Sequence, residues 1–501
     1  MAGSVHLVEQ RAQVSGGLAA AKFLGWVETA IFICLAMVAL TAPVSTKAAV
    51  NSFRAATVLW VLLTATGKRR LTRQPLALPL VVFLICTAIS SALSLDPRLS
   101  WGRMRTVSLI FLAIVVGQAT HSLRQLKTLA ALLIASCLLT VLYTAWQYSA
   151  GIGVQATASG PALVSLGAVG LAPGDIIRKL GGTTVRSPRA LRGQQFSSTP
   201  VELLLWRETP NALQPFHIAV DAKRWEVLLR SPGLSLRRAH PPRAQGFFRH
   251  YFPFSEFLVF AALLMGGFAV SPALDGKRRI SLVLAFAATA ATLTLTLTRI
   301  SLVSLAVGTL LLIAMPTKGR RRKASIIAFL LLSLAAIAWV QHHRAGPESD
   351  PGNEYRLLMW RDSLKMVRAH PLFGVGLDSV AGDWQRWNLE AYRRFPLHSH
   401  FHSTPIQLAV ECGLPALAVW IWLLAGDFAF LLHEYRTSSH NDWFASGLLL
   451  GALGCLVAFV LTGFVQYNFG DAEAMIVFWL IMGMAFALNR LTTEGAGGNS
   501  S

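Results

Sequence analysis

The sequence predicts an all-α integral membrane protein with about twelve transmembrane helices and two long extracytoplasmic segments. Hydrophobic residues make up 54% of its 501 residues and charged residues only 14%, whereas a soluble chain carries roughly a quarter charged residues. Apolar stretches of roughly 20 residues, enough to cross a bilayer, recur along the chain. The predicted spans are 24–43, 49–66, 75–95, 104–120, 126–148, 253–272, 280–297, 301–316, 324–340, 407–432, 443–465 and 473–489.

The N-terminal region and the cysteines fit this class. Residues 1–22 are polar, and the first apolar run is long enough to span, so we expect no cleavable signal peptide. The cysteines lie in or beside apolar spans and lack the spacing of a metal knuckle or a disulfide framework. We therefore expect small buried side chains at Cys34, Cys86, Cys137, Cys412 and Cys455.

The formal net charge of +21 would indicate nucleic-acid binding in a soluble protein. Here much of the charge lies in three short loops, 68–70, 277–279 and 318–323. Short loops rich in Lys and Arg stay on the cytoplasmic side, where they meet anionic lipid headgroups. The sequence thus favours a membrane partner and no nucleic acid.

A topology with a cytoplasmic N-terminus and twelve crossings keeps all three basic loops inside. It places two long segments outside, together with short turns near 96–103, 298–300 and 466–472. The predicted organisation is 1–148 with transmembrane helices 1–5, 149–252 as an extracytoplasmic insert, 253–340 with helices 6–9, 341–406 as an extracytoplasmic loop, 407–489 with helices 10–12, and 490–501 as a cytoplasmic tail.

The insert 149–252 is basic, with 13 Lys and Arg against 5 Asp and Glu. Long loops are translocated largely regardless of charge, so this composition agrees with an outer location. Alternating apolar residues predict strands around Val201–Trp206 and Phe216–Leu229, and Arg237–Gln245 has the composition of a linker. Both a small β-rich domain and a partly disordered loop fit this pattern.

Arg299 lies in the tight turn between the seventh and eighth predicted spans. An arginine between two apolar helices is costly unless it is paired or lines a wet cavity. Two interpretations remain open. Its side chain extends to lipid headgroups, or it binds an anion at the outer face, where its planar group donates two hydrogen bonds to a phosphate.

The second outer segment predicts an amphipathic helix on the membrane surface. Arg356, Trp360, Leu364 and Val367 recur at helical spacing, and the pattern stops at His370-Pro371. The helix is either a basic interfacial element or part of a binding site. A structural ion pair of Arg361 with Glu354 or Asp362 is a further alternative.

Three alternating histidines, His398, His400 and His402, precede the tenth predicted span. A zinc site is one alternative, but the region lacks a cysteine or carboxylate to complete a ligand set. An ordinary polar contact is the second alternative. The third is a general base or proton shuttle, above all at His402, because histidine exchanges protons near neutral pH.

These residues fall in motifs that resemble the O-antigen ligase/polymerase superfamily of integral membrane glycosyltransferases, which are of the GT-C type. The resemblance covers roughly residues 240–490, and the second glycine of the family's Gly-x-x-Gly pattern is Ala416 here. The matching stretches are Thr298-Arg299-Ile300-Ser301, Arg356-xxx-Trp360, Pro371-Leu-Phe-Gly374-Val-Gly376, His402-Ser403-x9-Gly413, Arg243–His250 and Gln466–Asp471.

The resemblance implies a glycosyltransferase of the bacterial inner membrane with a periplasmic active site and neither metal nor cofactor. It implies that a glycan moves from undecaprenyl diphosphate to an acceptor sugar, which in the ligases belongs to lipid A–core. By motif, His402 activates the acceptor hydroxyl, and Arg299 and Arg356 bind the diphosphate. The supporting residues are Arg361, His400, Ser403, His250, Arg243 and Asp471.

Three other functions remain open. A polymerase of the same family has the same donor chemistry but joins repeat units. A transporter or flippase is less favoured, because transporters place charges near mid-span, whereas the ionisable residues here cluster near the outer ends. A membrane scaffold whose insert binds a partner leaves the Arg299, Arg356 and His402 set unexplained.

Overall fold

The computed structural model describes residues 23–66, 72, 74–193, 200–208, 213–316, 319–344, 351–380, 384–394, 400–438 and 441–498. The basic loop 68–70, residue Lys318 and His398 lie outside the described residues. The chain divides into two compact units, one made of residues 140–251 and the other of the segments on either side.

Helices build the first unit and connect it to the second through the long sixth helix. They are α1 (Phe23–Thr41), α2 (Thr46–Ala65), α3 (Ala77–Ala92), α4 (Pro97–Val107), α5 (Phe111–Ala119), α6 (Leu123–Ala150), α10 (Tyr251–Val270), α11 (Gly276–Thr294), α12 (Arg299–Ala314), α13 (Gly319–Arg344), α14 (Pro351–Ala369), α15 (Glu390–Arg394), α16 (Thr404–Glu411), α17 (Gly413–Thr437), α18 (Trp443–Gly463) and α19 (Ala472–Gly498).

The described part of the chain has nine helical segments long and apolar enough to cross a membrane. Helices α3 and α12 are apolar but shorter, and α11 begins with the basic run Lys277-Arg278-Arg279. A helix therefore lies at each of the twelve predicted spans, and the protein is a multi-pass membrane protein. The count of twelve crossings stays a prediction.

The tenth predicted span, 407–432, is divided in the structure. α16 ends at Glu411, and α17 begins at Gly413, whose φ of 84° turns the backbone between them. Glycine adopts this left-handed conformation without a steric penalty. The membrane-crossing helix therefore begins six residues later than predicted and leaves α16 as a separate element.

Aromatic side chains fix the turn before α19 onto the helices. The ring centroid of Trp420 in α17 lies 4.5 Å from that of Phe469 and 5.1 Å from that of Phe83. Phe469 is fully buried in the 3-10 turn Asn468–Gly470. Such tilted aromatic pairs add packing energy and define geometry, so this turn is held rigidly against α3 and α17.

The second unit contains a six-stranded antiparallel sheet with the strand order β5-β4-β2-β1-β6, and β3 pairs with β2. Its elements are β1 (Gly153–Ala158), α7 (Pro161–Ala168), β2 (Ile176–Leu180), β3 (Thr183–Thr184), α8 (Pro188–Arg192), β4 (Val201–Glu208), β5 (Leu213–Val220), α9 (Ala222–Arg230) and β6 (Leu234–Ala239). This sheet is the departure from an all-helical chain. Its buried apolar cluster includes Leu166, Leu203 and Trp225, from α7, β4 and α9.

Two sequence predictions for the insert are wrong. The strand predicted over Phe216–Leu229 ends at Val220, because Asp221 caps a helix by accepting the backbone N–H groups of Lys223 and Arg224. Trp225 and Leu228, three residues apart, form the buried face of that helix. The predicted linker Arg237–Gln245 begins inside β6, where Arg237 pairs with Gln155.

Candidate functional site

Helix α14 packs its apolar face against the segments that lead into α16. The buried face of α14 includes Tyr355, Met359 and Met366. It is displaced by one position from the face that the sequence predicted, which contains Arg356, Trp360, Leu364 and Val367. Leu364 is 52% exposed, and Arg356 is half-buried. The buried residues of this cluster are Tyr355, Met359, Met366, Val375, Val380, Leu389, Ala391, Tyr392, Phe401 and Val410.

The ion pairs proposed for Arg361 are wrong. Glu354 pairs with Arg394 at 2.8 Å, and Asp362 pairs with Lys365 at 2.8 Å while accepting the backbone N–H of Ala391 at 2.9 Å. The Arg361 side chain is exposed. Both carboxylates therefore hold α14 to α15 or to itself, and neither fixes Arg361.

A glycine-rich turn joins the end of α14 to the bend between α16 and α17. Val375 donates its backbone N–H to the oxygen of Val410 at 3.0 Å, and Gly376 donates to that of Glu411 at 2.9 Å. Gly374 and Gly376 both have positive φ. A methyl group on Gly374 would collide with the Glu411 backbone. These glycines allow two backbones to lie in direct contact.

His402 lies where the chain bends into α16. Its backbone φ is 49°, and its backbone N–H donates to Nδ1 of His400 at 3.3 Å. Its ring Nδ1 lies 3.4 Å from Oε1 of Gln466, and its ring centroid lies 5.5 Å from that of Tyr355. The structure thus brings the predicted base next to α14, where Arg356 directly follows Tyr355.

The same contact is reinforced by the first residues of α16. Ser403 is buried and in an extended conformation at the helix start. Thr404 donates its backbone N–H to the backbone oxygen of Gln466 at 3.0 Å. Its hydroxyl donates to Oδ1 of Asn468 at 2.8 Å. Ser403 is therefore the residue directly before α16. Thr404 holds the turn that carries Gln466 against the start of this helix.

The buried carboxyl group of Glu411 accepts several hydrogen bonds near the histidines. Its Oε1 accepts hydrogen bonds from Nε2 of Gln407 and from the backbone N–H of Asp378, both at 2.7 Å. The other oxygen accepts the Tyr467 hydroxyl at 3.3 Å. Gln407 in turn accepts the backbone N–H of Phe401 at 2.8 Å, so Glu411 indirectly positions the segment that carries His402.

Burial changes the proton affinity of these groups. Removal from water raises the pKa of Glu411 to about 7, against the lowering effect of its hydrogen bond from Gln407. Burial, with Glu411 nearby, also raises the pKa of Tyr467. The ring of Tyr467 lies 5.8 Å from that of His400. The Tyr467 side chain therefore lies between the Glu411 carboxyl group and the ring of His400.

Asp471 lies at the start of α19, half-buried. Burial first, and the charge of Glu473 second, raise its pKa to about 7, while Arg103 opposes that rise. Arg103 also donates to the Gly470 carbonyl at 3.1 Å. Asp471 thus belongs to the same end of the helix bundle as Gln466, five residues away.

Arg299 begins α12 and is half-buried. Its Nη1 donates to Oε1 of Gln341 in α13 at 3.1 Å, and Ser301, one half-turn later, exchanges a 2.8 Å hydrogen bond with Ser255 of α10. The structure therefore places Arg299 beside α13 and His402 beside Tyr355 of α14.

Residues 284–421 match the family described as O-antigen ligase. This stretch of the chain is similar to that family. The match begins within α11 and ends within α17, so it includes Arg299, Arg356, Arg361, His400, His402 and Ser403. No curated protein matches the chain.

The matched ligase domain is shorter than the resemblance over 240–490. Arg243, His250, Gln466 and Asp471 lie outside it. Arg243 and His250 belong to the second unit, where the Arg243 guanidinium lies 4.2 Å from the centre of the Tyr251 ring and the His250 ring lies 4.1 Å from it. Their part in the site stays a prediction.

The apolar helices make this a multi-pass membrane protein, and the matched family suggests a function of the glycan ligase and polymerase type. Among the described residues, no group of three His, Cys, Asp or Glu side chains could hold a metal ion. The three-histidine zinc alternative includes His398, which lies outside the described residues.

Sequence reasoning missed Gln466, Tyr467, Glu411 and Tyr355 as site residues. Gln466 and Tyr467 stand in a stretch with family resemblance, and Glu411 is a lone carboxylate in an apolar run, which is a signal of function or of specific pairing. Tyr355 carried no signal, because its contact with His402 depends on how α14 rotates.

The statement that ionisable residues cluster near the outer ends is incomplete. Asp427 within α17 and Glu256 within α10 are both buried. The Asp427 carboxylate forms no hydrogen bond within the described part of the chain. Glu256 lies beside Thr462 and Asn468, and Asn468 accepts the Thr404 hydroxyl, so Glu256 lies near the start of α16.

Proposed function

We propose that the protein transfers a glycan from undecaprenyl diphosphate to a sugar hydroxyl of lipid A–core, or of a similar acceptor, at the periplasmic face of the bacterial inner membrane. The observation that carries the proposal is the pairing of His402 with Gln466 beside α14. His402 lies within the stretch that matches the family described as O-antigen ligase, and Gln466 lies beyond it. The reaction needs a base at an open surface, and His402 is half-buried.

His402 acts as the general base. With hydrogen on Nδ1, its ring donates to Oε1 of Gln466, and the lone pair then lies on Nε2. His400 accepts the His402 backbone N–H through Nδ1, so its neutral form carries hydrogen on Nε2. Gln466 and His400 are positioning residues. Gln466 holds the His402 ring and selects its tautomer, and His400 holds the His402 backbone.

In the transfer step the acceptor oxygen attacks the anomeric carbon of the donor glycan. The bond from that carbon to the diphosphate oxygen breaks, and undecaprenyl diphosphate leaves with the electron pair. The acceptor proton passes to Nε2 of His402. Because the diphosphate is already a good leaving group, catalysis needs a base, fixed positive charge and close alignment of two membrane-held substrates.

Arg356 and Arg299 supply that positive charge in the proposal. Arg356 follows Tyr355, whose ring lies 5.5 Å from that of His402. Arg299 starts α12, where its side chain adds to the positive end of the helix dipole. Arginine suits this task because its planar group can hold two phosphate oxygens at once. The proposal requires no metal.

Contacts between the outer segments support a single periplasmic site. Several of the segments that the topology places outside contact one another. The contacts are His402 with Gln466, the Leu95 N–H with the Val375 oxygen at 3.2 Å, Arg103 with the Gly470 oxygen at 3.1 Å, and the Thr46 hydroxyl with Glu473 at 2.9 Å.

Segments that the topology places inside also contact one another. Gln118 donates to the Thr72 oxygen at 2.8 Å, Arg490 donates to the Gly117 oxygen at 3.0 Å, and Ser271 and Ser446 share a 2.8 Å hydrogen bond. These contacts agree with the alternation of inside and outside on which the periplasmic location depends.

The decisive experiment uses the purified full chain with a glycan on undecaprenyl diphosphate and two acceptors, lipid A–core and a second lipid-linked repeat unit. Product on lipid A–core supports the ligase, and product only on the repeat unit supports the polymerase. Absence of transfer to both, with bound donor, would contradict a glycosyltransferase. His433→Ala is the matched control for His402→Ala, because His433 is exposed near the other end of α17.

A further inference from the structure

The β2–β3 hairpin of the insert places two arginines side by side. Val185 donates its backbone N–H to the oxygen of Arg178 at 2.8 Å. Arg186 follows Val185 directly, so it stands next to Arg178 across the hairpin. Both residues belong to the second unit, which contains residues 140–251.

Each guanidinium lies over a tryptophan ring. The Cζ of Arg178 is 4.0 Å from the centre of the Trp206 ring, and that of Arg186 is 4.6 Å from the centre of the Trp146 ring. Arg178 also donates Nε to the Ile152 oxygen at 3.0 Å. An arginine stacked in this way is fixed in position while the edge of its guanidinium remains able to donate to an anion.

No described carboxylate forms a salt bridge with either arginine. Three acids of the insert have other partners: Asp175 binds Arg207 at 2.7 Å, Glu226 lies 4.0 Å from Arg230, and Asp221 caps α9. Burial first, and the charge of Arg186, lower the pKa of Arg178, while Tyr143 opposes that change. Arginine nevertheless stays charged in proteins, so the two positive charges repel each other.

The pair is also close to the end of a predicted membrane span. Trp146 lies in the last turns of α6, which ends at Ala150. Tyr143, one turn earlier, stacks on Phe247 with 3.9 Å between ring centroids. Tryptophan and tyrosine at the end of a span are typical of the headgroup level of a bilayer, where the available anions are lipid phosphates.

We propose that Arg178 and Arg186, stacked on Trp206 and Trp146, form a binding site for the phosphate of an anionic lipid headgroup at the outer surface of the membrane. The phosphate neutralises both charges and accepts hydrogen bonds from the guanidinium edges, and the tryptophans lie against the adjoining glycerol and acyl carbons. The site anchors the insert to the bilayer. It does not depend on the proposed glycan transfer.

The test is native mass spectrometry of the purified full chain in detergent, titrated with dioleoyl phosphatidylglycerol. Dioleoyl phosphatidylcholine serves as the lipid without net charge, and inorganic phosphate serves as the soluble competitor. The test variant is R178Q/R186Q. The matched control is R189Q/R192Q, which removes two exposed arginines from α8 of the same insert and thus the same total charge.

We expect R178Q/R186Q to weaken retention of the first phosphatidylglycerol on the order of tenfold or more, while R189Q/R192Q changes it less than about twofold. R178K/R186K, which keeps the charge but loses the planar stack, gives an intermediate loss and remains informative if the glutamine variant misfolds. Equal losses in test and control variants would overturn the proposal. So would full retention by R178K/R186K, or displacement of the lipid by inorganic phosphate at matching concentration.

Discussion

Nδ1 of His402 lies 3.4 Å from Oε1 of Gln466, a residue 64 positions later in the chain. The contact joins the outer segment before α16 to the turn before α19. In the proposed mechanism Nδ1 donates to this oxygen, which leaves Nε2 to take a proton. The predictions below follow from this contact and from the elements that hold it.

His402→Ala should lower the turnover number by roughly 10²–10⁴-fold, because the acceptor hydroxyl loses its base. Binding of the donor lipid should remain near normal, since the arginines hold the diphosphate. Turnover per molecule and donor binding are measured on one preparation, with His433→Ala as control. A normal rate per molecule, or loss of wild-type activity in EDTA, would contradict the general base.

Gln466→Glu tests the positioning role separately. A carboxylate at this position would raise the pKa of His402, because it stabilises the charged imidazolium. The acid limb of the profile of kcat/KM against pH should therefore move to higher pH. Gln466→Ala should lower the rate without that shift. An unchanged profile in Gln466→Glu would show that the contact has no part in catalysis.

Arg299→Lys and Arg356→Lys should each reduce transfer by roughly tenfold or more, although the charge is retained. Lysine cannot hold two phosphate oxygens in one plane. Arg368→Lys, on the exposed last turn of α14, is the control. Full activity of both variants at normal membrane levels would mean that these arginines only reach lipid headgroups.

Glu411→Gln should flatten the dependence of thermal stability on pH. The ordinary pKa of this carboxyl is 4.5, and in the fold it is about 7. Its contribution is complete below pH 4.5 and is lost as pH rises through about 7, because the unfolded chain releases the proton first. Unfolding temperatures between pH 4.5 and 8 check this. Asp471 titrates in the same window, so some slope remains.

Gly413→Ala should lower the free energy of unfolding by about 2–4 kcal/mol, because the position needs a positive φ and a methyl group would strike the Leu372 carbonyl. Gly102→Ala is the control, since nothing lies near its Cβ position. Thermal unfolding in detergent measures both. Equal stability of the two variants would show that the bend tolerates a side chain.

An impermeant thiol reagent should label Val227→Cys from the outside and Ala273→Cys only after lysis. Val227 is 60% exposed in the insert, and Ala273 is exposed between α10 and α11. Both substitutions belong in a background without the five native cysteines. The reverse labelling pattern would invert the topology and place His402 inside.

The helical class and the glycine motifs were accessible from the sequence because apolar run length and backbone strain are local properties. The bend at Gly413 was missed because α16 is itself apolar, so one continuous run hid two helices. Helix α9 was missed because the apolar residues of Phe216–Leu229 were interpreted as alternating along a strand, although Asp221 is a capping residue. Local capping chemistry carried more information there than hydropathy.

The sequence supplies His402 and Arg356 as predicted site residues, but it does not supply their neighbours. The proximity of Tyr355 to His402 depends on a one-position rotation of α14 that the polar and apolar pattern did not determine. The contact with Gln466 is between segments separated by α16, α17 and α18. Long-range pairing of this kind follows from packing of whole helices, which periodicity alone does not specify.

The distance along the chain between the two halves of the His402 contact has a consequence for biogenesis. A ribosome delivers the chain from the N-terminus, so α14, the glycine turn and His402 emerge well before Gln466 and the Asn468–Gly470 turn. The base can acquire its partner only after α18 has entered the membrane. A nascent chain or a fragment ending near residue 460 therefore lacks the assembled pair.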